Sequence, residues 1–216
     1  MLRPFTGNEA WTELPFDNSE RNHVTVRDLL PVKAPAFARV LNPARSPDGR
    51  AAFWRDIVAS GVDATTQWSA IRPFAADHCE PVTGGLDPAV ANRLAHVAME
   101  CGFARTNYRF LVWEGYGGLR ADLANAPTVD LPPDTRRMHI LTGNLLDATE
   151  SVVEAPGHRL ALWWLSSDGQ WCVGNDIYGR SAFVGGTHTL VSALVEDAEL
   201  EAYPVDPAQI VTPEDR

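Results

Sequence analysis

Residues 160–165 read LALWWL, an unbroken apolar run that contains two adjacent tryptophans. Neighbouring side chains of a β-strand point to opposite faces of the sheet. The run therefore predicts one face with Leu160, Leu162 and Trp164, and another with Ala161, Trp163 and Leu165. A strand that is apolar on both faces lies inside a sheet that is covered on both sides. We expect helices on one face and a loop segment, a partner chain or a ligand on the other.

The periodicity of the remaining chain predicts both strands and helices. Strands are predicted over 35–44, 106–115, 136–143 and 200–205, and helices over 50–61, 86–102 and 187–197. Residues 158–186 predict a meander in which Asp168-Gly169 forms a type I′ hairpin turn and the third strand covers about 181–184. The proline- and glycine-bearing stretches 62–86 and 123–134 are predicted loops.

This pattern predicts one α+β domain, a mainly antiparallel sheet with a C-terminal hairpin meander and with helices packed on one face. The domain is predicted over 35–205. Residues 1–34 are expected to form an extended lead-in that packs through Trp11 and Phe16, and residues 206–216 a tail.

The net charge indicates which classes of partner to expect, and the cysteine content indicates the cellular compartment. The formal net charge is -10 and Lys33 is the single lysine, whereas nucleic-acid binders need a basic surface. The sequence therefore predicts no nucleic-acid partner and is compatible with a basic protein partner. Three cysteines without paired spacing, no signal-like N-terminus and no apolar run of about 18 residues predict a cytoplasmic protein that does not enter a membrane.

Several stretches resemble a group of uncharacterised proteins encoded by high-GC bacteria. They are FARVLNPA (37–44), FLVWEGYGGL (110–119), LALWW (160–164), QWCVGNDI (170–177) and AFVGGTHTLVSALVEDAELEAYPV (182–205). No activity is assigned to that group, so the resemblance implies no catalytic residue. The predicted order of elements is also similar to the SUKH superfamily, many members of which are thought to be immunity proteins that bind toxins. That similarity concerns the fold alone.

No complete catalytic or metal-binding motif stands in the sequence. The six histidines form neither HxxxH nor HExxH spacing, so we expect no metal and no cofactor. The strongest catalytic candidates are Glu114 and Asp176, which each lie near a predicted strand end. If these two strand ends lie at the same rim of a cleft, the two carboxylates could act as an acid–base pair, assisted by His139 or His188. Alternatively, Asp176 and Asn175 satisfy the backbone donors of a turn.

Aromatic residues are the most informative set for binding. They lie in or beside predicted strands: Trp113, Tyr116, Trp163, Trp164, Trp171 and Tyr178. Such rings either fill a core or line a cleft, here one rimmed by Glu114, Asn175 and Asp176. Exposed tryptophans also serve as anchors at protein interfaces.

Gly185-Gly186-Thr187 leads from a predicted strand into a predicted helix, and this arrangement suits either an anion site or a tight turn in which Thr187 caps the helix.

Three functions therefore stay open. The preferred hypothesis is a non-catalytic protein-binding domain of the immunity or antitoxin kind. The others are a hydrolase that uses the paired carboxylates, and a small-ligand or anion binder at 185–187.

Overall fold

The computed structural model describes residues 1–7, 24–30, 32–59, 61–103, 108–131 and 136–211. The strands are β1 (Arg3–Pro4), β2 (Ala36–Leu41), β3 (Ala44–Arg45), β4 (Ala51–Ala52), β5 (Tyr108–Trp113), β6 (Thr128–Leu131), β7 (Arg136–Gly143), β8 (Trp163–Ser166), β9 (Cys172–Gly174), β10 (Ser181–Gly186) and β11 (Ala202–Pro204). The helices are α1 (Val26–Leu29), α2 (Trp54–Ile57), α3 (Trp68–Ile71), α4 (Pro88–Glu100) and α5 (His188–Glu196). Short 3₁₀ helices cover Arg72–Phe74 and Leu145–Thr149.

Within the described ranges, nine strands form one antiparallel sheet in the order β1-β7-β5-β8-β9-β10-β2-β11, with β6 also paired to β7. β3 and β4 form a separate hairpin. The predicted α+β fold class is confirmed. Of the helices in the described part of the chain, none is long and apolar enough to cross a bilayer.

The two tryptophans of β8 lie on opposite faces, as predicted. Trp164 belongs to the cluster that contains the apolar residues of α4 and α5, and Trp163 to the cluster on the other face. Their exposed fractions are 1% and 4%. The prediction was wrong for Ala161 and Leu162, which lie in the opposite clusters. Regular pairing begins only at Trp163, so the strand alternation does not extend back to them.

The second face of the sheet is covered by the chain itself. Buried residues of α1 and the segment after it pack there, together with residues that follow β11: Val26, Leu29, Leu30, Val32, Val205 and Val211. The Trp163 indole N–H donates to the Leu29 carbonyl at 3.1 Å. The predicted lead-in therefore contains β1 and the cover helix α1. Trp11 and Phe16 lie outside the described residues.

Gly174 allows this cover to lie close to the sheet. A Cβ atom at Gly174 would stand 2.6 Å from Leu30 Cδ2 and 2.7 Å from Trp163 Nε1. Both distances are shorter than ordinary Cβ contacts, so a side chain at position 174 would force Leu30 or the buried indole to shift.

We expect Gly174→Ala to lower the free energy of unfolding by about 1–3 kcal/mol through overpacking. Gly117→Ala is the matched control, because no atom lies within 4 Å of its added Cβ, and it should change stability by less than about 0.5 kcal/mol. Urea denaturation of both variants measures the difference. Equal stability of the two variants would contradict the packing argument.

Two predicted elements differ from the structure. The helix predicted over 50–61 covers only 54–57, because residues 51–52 pair with β3 and the Glu201 carboxylate accepts the N–H groups of Trp54 and Arg55. The loop predicted over 123–134 contains β6, which joins the edge of β7 and aligns Asp130 with Arg137. Likewise, the loop predicted over 62–86 contains α3 and a 3₁₀ turn.

The meander is present with a longer turn than predicted. β8 and β9 are joined by the five residues 167–171, rather than by a two-residue type I′ turn at Asp168-Gly169. The Ser166 N–H donates to the Trp171 carbonyl, which closes this loop, and Gly169 has a positive φ of 66°. Both longer helices are capped: Asp87 accepts from the Ala89 N–H at the start of α4, and Thr187 accepts from the Leu190 N–H at the start of α5, as the turn interpretation of 185–187 predicted.

The buried Glu201 carboxylate generates a pH dependence. Burial raises the pKa of Glu201, although the N–H groups of Trp54 and Arg55 oppose this effect. The folded-state pKa thus exceeds the unfolded value of about 4.3. The contribution of Glu201 to the free energy of unfolding is fully present when the pH is below its unfolded-state pKa. This contribution is lost as the pH rises through its folded-state pKa.

We therefore expect wild-type protein to lose stability relative to Glu201→Gln, which does not titrate, as pH rises from about 5 to about 8. Denaturant unfolding of both proteins at the two pH values measures the change. If the wild type instead gained stability relative to Glu201→Gln as the pH rises, the N–H bonds would have a larger effect on the Glu201 pKa than burial.

Candidate functional site

A recess of about 340 Å³ lies beside the end of β5. We call it the aromatic recess, and it is lined by Trp113, Gly115, Tyr116, Gly117, Arg159, Ile177 and Tyr178. The lining side chains with large surfaces are three aromatic rings, and the charged one is a guanidinium. These groups can bind a ligand by stacking and by hydrogen bonds from arginine.

The turn after β5 positions the first two rings. The Tyr116 N–H donates to the Trp113 carbonyl at 3.2 Å, and the two rings meet edge to face with centroids 5.6 Å apart. A Cβ atom at Gly115 would lie 2.3 Å from the Trp113 indole. Glycine at this position therefore lets the indole fold back over its own turn.

The loop at 83–85 anchors Tyr116 from outside the lining of the recess. The Tyr116 hydroxyl donates to the Gly84 carbonyl at 2.6 Å, and burial raises the pKa of this hydroxyl, so it stays a donor at neutral pH. Gly84 has a φ of 67°, and a Cβ atom there would lie 2.4 Å from the Ile177 carbonyl oxygen. The Gly84 N–H donates to the Gly179 carbonyl, which joins this loop to the turn that carries Tyr178.

Asp176 fixes the turn that presents the third ring. One of its carboxylate oxygens accepts the Tyr178 N–H at 3.0 Å, and the other forms an ion pair with Arg136. The Arg136 guanidinium also lies 5.9 Å from the centroid of the Tyr178 ring. Tyr178 itself is 61% exposed, so it forms an open rim of the recess.

Arg159 supplies the positive charge of the recess. It donates to the Thr83 carbonyl at 2.7 Å, and its guanidinium lies 5.8 Å from the centroid of the Tyr116 ring. Within the described ranges no carboxylate forms an ion pair with it. Arg136, by contrast, is balanced by Asp176, so the recess has a net cationic character.

The predicted aromatic set divides between this recess and the core. Trp113, Tyr116 and Tyr178 line the recess. Trp163 is buried under the α1 cover, and Trp171 is buried on the helix side, where its ring lies 5.8 Å from Tyr108. The sequence identified the rings but did not separate these two groups.

The predicted catalytic residues lie in different surroundings. Glu114 is exposed after β5, and His188 is exposed at the start of α5. His139 is buried on β7, with a ring nitrogen 3.4 Å from the Ala126 carbonyl. No carboxylate stands among the described residues that line the recess. The acid–base pair of Glu114 and Asp176 stays a prediction.

Gly185 and Gly186 are paired strand residues of β10, opposite Phe37 and Ala36. A Cβ atom at Gly186 would lie 2.8 Å from Leu190 Cδ2, and Thr187 caps α5. Close packing and capping account for these residues, and the predicted anion site at 185–187 stays a prediction.

Asn175 is the most unusual polar residue beside the recess. It is 2% exposed, and neither its Oδ1 nor its Nδ2 has a hydrogen-bond partner. A buried unpaired polar group costs about 1–3 kcal/mol. Asn42 is equally buried, but its amide donates to the Val82 and Gly85 carbonyls and accepts the Asp87 N–H.

These two asparagines provide a matched pair. We expect Asn175→Leu to raise the free energy of unfolding by about 1 kcal/mol, because an unpaired amide is removed. Asn42→Leu should lower it by about 3 kcal/mol or more, because three paired groups lose their partners. Thermal and urea unfolding measure both effects. A comparable loss in both variants would show that the Asn175 amide is hydrogen-bonded in solution.

Sequence reasoning missed Arg159, Gly84 and Ile177 as parts of the site. Gly84-Gly85 signalled a loop, but nothing local indicated that this loop would dock against 177–179. Arg159 follows the cis Ala155-Pro156 turn region, far in sequence from the Tyr116 ring that it covers.

Comparisons with family models, with curated proteins and with solved structures find no match for this chain. Among the described residues, no group of three or more His, Cys, Asp or Glu side chains could hold a metal ion. Cys79, Cys101 and Cys172 are free thiols, and Cys79 is exposed.

Proposed function

We propose that this protein is a non-catalytic protein-binding domain, of the immunity or antitoxin kind, and that the aromatic recess is its contact site. The observation that carries the proposal is the exposed Tyr178 ring beside Trp113 and Tyr116. Tyrosine and tryptophan that combine exposed surface with a fixed position are the residues that most often dominate binding energy at interfaces. The immunity-like role further rests on the similarity of the element order to the SUKH superfamily.

The rings are held in position before any partner arrives. Gly115 lets Trp113 fold back, Gly84 accepts the Tyr116 hydroxyl bond, and Asp176 fixes the Tyr178 turn. Side chains that are already fixed lose little conformational entropy on binding. Preorganisation of this kind favours a recognition surface.

The charge of the whole chain supports a basic partner. A net charge of -10 attracts positively charged proteins and speeds their encounter. It opposes binding to nucleic acid phosphates. We further propose a cytoplasmic location, because three free thiols suit a reducing compartment.

The proposal is tested by affinity capture from the native cell lysate with three versions of the full chain. Wild-type protein should capture a partner. Tyr178→Ala should capture no more than about a tenth of that amount, as expected when an interface hot spot is removed. Phe74→Ala is the matched control, because Phe74 is 66% exposed and lies away from the recess. It should capture the partner as the wild type does.

Quantitative mass spectrometry of the captured proteins measures the outcome. Equal capture by all three versions would place any interface elsewhere. Turnover in a hydrolase screen that Asp176→Asn abolishes, while no partner is captured, would favour the carboxylate-based hydrolase instead.

A further inference from the structure

We infer that the aromatic recess recognises a carboxylate that a protein partner presents next to an aromatic side chain. This inference rests on the proposed binding function and adds the chemistry of the group that is bound. It depends on three features of the recess: its unpaired cation, its aromatic walls and its size.

The cation selects the charge of the ligand. Arg159 uses one N–H for the Thr83 carbonyl, and its planar guanidinium has further donors for a ligand. Arg159 is exposed, and its guanidinium lies 5.8 Å from the centroid of the Tyr116 ring. Because Asp176 already pairs with Arg136 beside the Tyr178 ring, an incoming cation would meet the uncompensated positive charge of Arg159. An incoming carboxylate would gain a charge-assisted hydrogen bond.

The walls select the body of the ligand. Trp113 and Tyr116 meet edge to face, and Tyr178 is the open rim. Another ring can stack against these rings and also bury apolar surface. An aliphatic side chain gains binding energy only from the apolar surface that it buries. An aromatic residue beside the carboxylate therefore fits better than an alanine.

The size and openness indicate a protein segment rather than a free small molecule. A volume of about 340 Å³ is at the low end of the roughly 300–1,000 Å³ typical of ligand pockets. Such pockets bury most of a small ligand, whereas Tyr178 leaves this recess open on one side. A peptide can fill the recess with one ring and cover the open rim with its neighbouring residues.

The overall charge sets a limit on the partner. A polyacidic segment would be repelled by a chain of net charge -10. A basic or neutral partner that presents a single carboxylate beside an aromatic ring satisfies both the long-range field and the local cation.

The test uses labelled nonapeptides, capped at both ends, that share neutral flanks and differ in two central residues: Trp-Glu, Trp-Gln, Trp-Lys and Ala-Glu. Fluorescence anisotropy with the full chain measures Kd. We expect Trp-Glu to bind at least about tenfold more tightly than each of the others, and its affinity to fall as salt is raised.

Variants assign the effect to Arg159. Arg159→Gln should reduce the affinity for Trp-Glu to that for Trp-Gln and remove the salt dependence. Arg159→Lys keeps the positive charge but loses the planar guanidinium. Its affinity for Trp-Glu should therefore lie between those of the wild type and of Arg159→Gln. Arg137→Gln is the control, because Arg137 pairs with Asp130 on the surface and does not line the recess. It should bind as the wild type does.

Three results would overturn the inference: binding of Trp-Lys as tight as that of Trp-Glu, equal affinities of Arg159→Gln and Arg137→Gln, or no binding of any peptide at millimolar concentration. N-acetyltryptophan carries the ring and the carboxylate as a free molecule. If it binds as tightly as Trp-Glu, the recess is a small-molecule site and the assignment to a protein segment fails.

The lysate capture separates this inference from the proposed function. If the partner is lost with Tyr178→Ala and retained by Arg159→Gln, the recess is an interface that does not use the carboxylate. If both variants retain the partner, the proposed function fails as well.

Discussion

Burial of β8 on both faces is the constraint on which the rest of this structure depends. A sheet strand with Trp163 on one side and Trp164 on the other cannot leave either face in water without exposing a large apolar surface. The helix side is closed by α4 and α5. The other side is closed by α1 and by residues after β11, so both ends of the described domain fold back over the same sheet. Glycine at 174 sets how closely this cover approaches.

Buried polar side chains fix the loops that this arrangement leaves outside the sheet. Asn42 holds the loop from Val82 to Asp87. Arg39, fully buried on β2, donates to Ser181 and to the carbonyls of Ala64 and Thr66. Each bond compensates for desolvation and ties a remote loop to the sheet. The aromatic recess depends on this anchoring, because Gly84, in the loop that Asn42 positions, accepts the hydrogen bond of the Tyr116 hydroxyl.

The recess combines aromatic walls with one guanidinium. Its rings are fixed by glycines and by backbone hydrogen bonds, and its guanidinium lies over one ring with no carboxylate to balance it among the described residues. An acidic chain with a local cation can attract a basic protein from a distance and still select a carboxylate at the point of contact. In the proposed function, long-range charge would act on the encounter with the partner and the local charge of Arg159 on the contact itself.

The sequence by itself determined the α+β class, the approximate positions of α4, α5, β2, β5, β7, β10 and β11, and the opposite orientation of Trp163 and Trp164, because these follow from local periodicity and from helix start and stop signals. It also identified Trp113, Tyr116 and Tyr178 as candidates. Only the tertiary structure decided that Trp171 is core, that β6 is a strand and that α1 covers the second face. It alone brought Gly84 and Arg159 to the rings. Those outcomes depend on contacts between segments distant in sequence, which no local pattern encodes.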